Sequence, residues 1–423
     1  MDVRSTKIAE GITLHTLPDN KFKNCIQSIN FTVPLLRETV TGLAMLPKLL
    51  CACNSRYFGR SALNKQAESL YGTKLKASAS KVGENQVISF SVDSIADCYA
   101  GESLLEKAWD LMQTVICEPK GPAVFDEDVF CRERENQREE IQSVINDKRR
   151  FALIRCIEEM CKNEPYGIRG DGTEEELDKL TPSSLFAIYD RMLHTAKIDI
   201  FVSGAFSEDI VIPKAKTLGD ILGARDVLPK KIVRRETDLI HYVEDRENVK
   251  QGKLCIGYRT DIDSHSDEYY KMMVFNAVFG GGTSSKLFNN VREKLSLCYY
   301  ASTQSDRAKG LILAQSGIEF SNYKKALDAI LSEHEEIKKG NVSSAEFDGA
   351  VQGLVNILRS YQDSPALLQS YYMRGMECGG SMDITYDIEK ILSVRPEEII
   401  DIAHRVHIDT VYFLNGKEGV SCD

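Results

Sequence analysis

The chain has 423 residues and a formal net charge of −10, with 43% apolar and 27% charged residues. This is the balance of a globular protein long enough for two to three domains, with a core in each half. The acidity disfavours DNA or RNA as a partner, and no basic tract with interleaved aromatics offsets it. No run of about 18 apolar residues occurs, and the opening MDVRSTKIAEGITLHTL lacks the apolar stretch of a signal peptide. A cytoplasmic protein with no membrane association is therefore expected. The twelve cysteines form no CxxC pair and read as reduced thiols, many of them small core residues.

In chain order, residues 41–54 (TGLAMLPKLLCACN) read as a buried helix. Leu43, Leu46, Leu49 and Leu50 share one face with Met45 beside it, and Pro47 is expected to kink or restart the helix. Residues 61–72 read as a second helix, followed by alternating strands over 73–93. Residues 180–204 and 394–416 echo each other: each begins with Pro182 or Pro396 at a helix N1 position and ends in an apolar strand closed by Gly204 or Gly416. The two prolines lie about half a chain apart, which indicates internal duplication. Between the halves, residues 211–236 carry Pro213, Gly219, Gly223 and Pro229 and end in the basic run KKIVRR, as a linker would.

The fold expected is α+β: an N-terminal domain over 1–210, a linker over 211–236 and a C-terminal domain over 237–423. Each domain is expected to hold a sheet of five or six strands packed against helices on one face.

Residues 274–300 (VFNAVFGGGTSSKLFNNVREKLSLCYY) are the most specific stretch. An apolar helix ends at Gly280, Gly281 and Gly282, and Thr283 or Ser284 is expected to cap the next helix. That helix carries Arg292, Glu293 and Lys294, and Tyr299 follows in a strand. This run resembles the C-terminal domain of the M16 (insulinase or pitrilysin) zinc metallopeptidases, with Ser296 standing where the family usually has glycine. The resemblance spans nearly the whole chain and is nearest to the small paired bacterial members.

In active M16 members, the first helix carries His-x-x-Glu-His after a Gly-Leu-Ala-like start. Both imidazoles then reach one zinc, and the glutamate serves as general base. Alignment on Gly42-Leu43-Ala44 puts Met45 and Leu49 at the histidine positions and Lys48 at the catalytic glutamate, while Glu140 matches the distal zinc glutamate. Methionine is a weak ligand, leucine is none, and an ammonium group repels the ion. The seven histidines offer no substitute, since only His404 and His407 are close in sequence. No zinc is expected in this chain. Lys48 could instead pair with Glu140 in place of the metal.

The resemblance implies a non-catalytic subunit of a heterodimeric peptidase, with zinc held by an HxxEH-bearing partner; in isolation a homodimer is the other arrangement. Arg292 and Tyr299 would bind the peptide substrate in the partner's zinc site, beside a loop formed by Gly280, Gly281 and Gly282. The alternative is a non-enzymatic M16-like scaffold or peptide-binding protein.

Overall fold

The computed structural model describes residues 3–119, 124–223, 225–228, 233 and 239–417. Apart from Val233, the KKIVRR run lies outside the described residues, as does Cys422. The N-terminal half runs β1 (Arg4–Ala9), β2 (Ile12–Pro18), β3 (Asn24–Pro34), α1 (Arg37–Ala52), α2 (Gly59–Ser69), β4 (Lys74–Val82) and β5 (Asn85–Ile95). It continues with α3 (Asp97–Ala100), α4 (Leu104–Cys117), α5 (Glu127–Ser143), α6 (Lys148–Met160), α7 (Glu174–Asp178), α8 (Pro182–Thr195), β6 (Lys197–Gly204) and α9 (Glu208–Leu222). The C-terminal half runs β7 (His241–Glu247), β8 (Gly252–Arg259), α10 (Tyr269–Phe279), β9 (Cys298–Asp306), β10 (Leu311–Ile318) and α11 (Tyr323–Lys338). It closes with α12 (Ser344–Tyr361), α13 (Pro365–Cys378), α14 (Ile384–Leu392), α15 (Pro396–Arg405) and β11 (His407–Gly416).

Two mixed sheets result, and their topology establishes the duplication. One has six strands in the order β1-β2-β6-β3-β5-β4; the other has five in the order β7-β11-β8-β10-β9. Without the extra edge strand β1, the two orders correspond strand for strand. In each, the strand that ends the helix–strand echo pairs parallel on one side (β6 with β2, β11 with β7) and antiparallel on the other (β3, β8). The echoed helices start alike. Thr181 and Ser184 form a reciprocal capping box ahead of α8, and Glu398 accepts the Arg395 backbone N–H ahead of α15.

The compact units are interleaved in sequence. One draws on residues 1–142, 168–231 and 361–373, the other on 143–167, 232–360 and 374–423. Of the segment read as a linker, residues 211–222 form the end of α9. Pro213 costs that helix one backbone hydrogen bond, while Val211, Ala215, Leu218 and Leu222 are buried.

In the first unit, α1, α4 and α8 cover one sheet face around Ile29, Phe31, Phe90 and Trp109. The opposite face of β3 and β6 is polar. There Ser28 and Ser203 bond to Gln369 of α13, and buried His15 bonds to Asp199 at 3.1 Å. In the second unit, α10 and α11 cover one face, and α6 lies on the other. Ala152 and Cys156 of α6 pack with Cys255, Leu313, Tyr412 and Leu414. Helices on one face thus describe most of each sheet, with a single further helix on the reverse. Gly257 permits this approach, because a Cβ there would meet Met160 Sδ at 2.6 Å. At the edge of α6, Glu164 takes Arg259 at 2.7 Å and Lys309 at 2.6 Å, and Arg259 also reaches Asp409 at 2.6 Å. These buried charges are tolerated because each is paired.

His334 of α11 is sealed among Tyr258, Phe275 and Phe279, and its Nε2 donates to the Ala403 carbonyl at 3.0 Å. Burial, with Lys338 adding to it, pushes the imidazole down to about 4; the Ala403 bond and Glu335 oppose the shift. The native state therefore keeps His334 neutral where the unfolded chain would protonate it. Its contribution is complete above pH 6.5 and is lost as pH falls toward 4. Urea unfolding at pH 7 and pH 4.5 is expected to show an acid destabilisation on the order of 2–3 kcal/mol from this group. His334→Gln should flatten that limb.

Candidate functional site

Helix α1 is unbroken from Arg37 to Ala52 with Pro47 inside it, so the proline does not restart the helix. It removes one N–H donor, a loss outweighed by the burial of Leu43, Met45, Leu46, Leu49 and Leu50 on both sides. Met45 and Leu49 are fully buried and serve the core.

Lys48 stands at the rim of this helix. Its Nζ makes a close ion pair with the Glu140 carboxylate of α5 and lies 3.4 Å from Gln137 Oε1. Gln137 is buried and donates through Nε2 to the Asp171 carbonyl at 3.0 Å. One turn earlier on α5, buried Glu133 accepts from Arg60 of α2 at 2.6 Å and from Asn136 at 3.1 Å. Glu133, Gln137 and Glu140 thus make one polar rail along α5, facing cations on α1 and α2. Sequence reading missed Glu133, Gln137 and Arg60. The spacing of 133, 137 and 140 on one helical face was the available signal, hidden in a run where every position is polar.

At the positions that the resemblance aligns with the metal ligands, the structure holds an ion pair, Lys48 with Glu140. Met45 and Leu49 offer no nitrogen or oxygen lone pair, and the Lys48 ammonium compensates Glu140 where a metal would. These residues do not fit zinc. Among the described residues, no group of three or more His, Cys, Asp or Glu could hold a metal ion.

The second cluster lies in the other unit. Gly280 closes α10, and Thr303 N donates to its carbonyl at 2.8 Å. A Cβ at Gly280 would meet Thr303 N at 2.8 Å, and one at Gly281 would meet Ala277 Cα at 2.8 Å, whereas Gly282 faces open space. Two of the three glycines are therefore required by packing. Neither Thr283 nor Ser284 caps the next turn; the Ser285 hydroxyl accepts from Phe288 N at 3.4 Å instead.

The expected α-helix over 283–295 is a π-helix from Leu287 to Lys294. The wider turn changes the angular position of Arg292 relative to an α-helical reading, and such turns often occur at functional sites. The Arg292 guanidinium sits 4.6 Å from the Phe288 ring centre, with its Nε 3.5 Å from Glu293. Tyr299 is 61% exposed rather than a core residue, and its hydroxyl donates to Glu319 Oε1 at 2.6 Å. That bond holds the phenol in its neutral form and raises its pKa. Between them, Ser296 adopts φ = 49°. This left-handed conformation suits glycine, the residue that the resemblance expects at this position.

The match to known proteins agrees with this layout. Residues 179–354 fit the model of the "Peptidase M16 inactive domain". The chain is 32% identical to the "Probable inactive metalloprotease YmfF" of Bacillus subtilis (strain 168), over 97% of each protein. The chain belongs to the M16 peptidase family. Among solved structures, a conserved protein from Enterococcus faecalis V583 superposes with a TM-score of 0.92 at 28% identity over the whole of both chains. The M16 inactive domain of Pseudomonas fluorescens does so at 0.81 and 16% identity, covering 99% of each chain. Within M16, this chain is a metalloprotease homologue of the inactive kind. No helix among its described residues is long and apolar enough to cross a membrane.

Two outcomes test this site. Ser296→Gly should change stability by less than about 1 kcal/mol, while Ser296→Val should cost about 1–2 kcal/mol in urea unfolding, because a β-branched residue resists positive φ. Combined Met45→His, Lys48→Glu and Leu49→His should give a chain that retains about one zinc after dialysis, with none in the native chain, measured by elemental analysis.

Proposed function

We propose that this chain is the non-catalytic subunit of a heterodimeric M16 metallopeptidase. A separate subunit bearing HxxEH would supply the zinc and the general base. The observation that carries this reading is the Lys48–Glu140 pair, which occupies the metal helix with a salt bridge and leaves hydrolysis to another chain. This chain would contribute part of a peptide-binding chamber together with Arg292 and Tyr299.

Their chemistry suits that task. A guanidinium at an accessible position can donate hydrogen bonds to peptide carbonyls and support a developing oxyanion; the phenol of Tyr299, whose one O–H is given to Glu319, would do so by exchanging that partner for the substrate. Among the described residues, the one carboxylate within ion-pair distance of Arg292 is Glu293, at 3.5 Å from Nε, and the guanidinium rests on the Phe288 ring, which leaves N–H donors for a substrate. Tyr299 is held by Glu319 in one orientation, which lowers the entropy lost when a substrate arrives. Substrates would be short peptides or unfolded segments, and the setting cytoplasmic.

The test is reconstitution. The isolated chain should show no peptidase activity, and activity should appear on mixing with the zinc-bearing subunit. In that complex, Arg292→Ala and Tyr299→Ala should each lower kcat/KM by about 10²–10³ without loss of assembly. Normal turnover by both variants would remove the assigned role.

A further inference from the structure

On the α6 side of the second sheet, two cations share one aromatic ring. The Arg149 guanidinium lies 4.3 Å from the Tyr300 ring centre, and Lys253 Nζ lies 5.8 Å from it. Arg149 donates to Gln315 Oε1 and to Ser302 Oγ, both at 3.1 Å. Lys253 donates to Gln251 Oε1 at 2.5 Å. All three acceptors are neutral. Among the described residues, neither cation has a carboxylate within ion-pair distance. An acid whose charge acts on Lys253 is Asp147, which caps α6 by accepting the Arg150 N–H at 3.0 Å.

The arrangement is built rather than incidental. Gly317 lies beneath the ring: a Cβ there would come within 2.5 Å of Tyr300 Cε1 and 3.0 Å of Gln251 Oε1. Tyr300 and Gln251 therefore depend on a bare backbone at this point in β10. Burial, followed by repulsion from Arg149, depresses the Lys253 pKa. Two like charges held together on neutral oxygens are an arrangement that an anion would relieve. Three N–H donors of Arg149 and two of Lys253 are not used in the bonds above.

We propose that Arg149 and Lys253 form a carboxylate subsite, taking the C-terminal carboxylate or an acidic side chain of a bound peptide. A peptide is the source chosen because the proposal rests on the peptide-binding reading above. Among the described residues, β9, which carries Tyr300, is the end strand of its sheet and pairs only with β10. An extended peptide beside β9 would pass next to the ring.

The experiment uses the isolated full chain and fluorescence anisotropy of labelled peptides. One peptide carries a free C-terminal carboxylate and an acidic residue; its control is amidated, with glutamine in place of the acid. The native chain should bind the first about tenfold more tightly. Arg149→Gln/Lys253→Gln should bind both equally, and Arg149→Lys/Lys253→Arg should keep the preference. Equal binding by the native chain overturns the proposal. So does an undiminished preference in the glutamine variant, or displacement by inorganic phosphate with no carboxylate preference. Should the double variant fail to fold, Arg149→Gln alone, at an exposed position, decides by the same criterion. No partner subunit is present in this assay. Failed reconstitution beside an intact carboxylate preference would therefore overturn the heterodimer and leave the subsite standing.

Discussion

The ion pair between Lys48 and Glu140 joins α1 to the acidic edge of α5. Both side chains are part-exposed, so by itself the pair contributes no more than about 1 kcal/mol. Its importance is electrostatic bookkeeping of another kind. Helix α5 turns an acidic edge toward α1 and α2, and that edge needs positive charge. In a zinc-bearing relative the metal would supply it. Here Lys48 and Arg60 do so from two neighbouring helices, and the remaining space at α1 is filled by Met45 and Leu49. The helix is thus committed to packing, and the chemistry it can perform is correspondingly reduced.

The second unit repeats the same strand order and puts it to another use. Its counterpart cluster is accessible, carries a π-helical turn and a residue at positive φ, and holds a tyrosine by a carboxylate rather than burying it. Strained or unusual backbone persists where surrounding packing specifies it. A duplicated scaffold therefore carries a packed helix with an ion pair at its rim in one half and an accessible arginine and tyrosine in the other.

Much of this was legible in the residues. The α+β class and the internal repeat could be read from spacing and residue type, because periodicity is a local property, and the family from the resemblance of residues 274–300. Partner choice was harder to read. Lys48 could be named as a candidate partner of Glu140, but the roles of Glu133 and Gln137 were hidden in the stretch 132–140 of α5, where every residue is polar. The π-helix was invisible, since its residues have ordinary helical character and the added backbone width leaves no compositional trace.

By itself, the sequence determined which atoms are available: no imidazole or carboxylate at positions 45, 48 and 49, an arginine and a tyrosine at 292 and 299, and glycines at 280 and 281. Only the tertiary structure decided how those atoms are used. Pairing depends on which helices meet, and the compact units draw on segments from both halves of the chain, as with α6 against β8 and β11. Contacts such as Cys156 with Cys255, or Arg149 with Tyr300, join residues about 100 or more positions apart. Their proximity follows from the packing of whole elements, which no local pattern encodes.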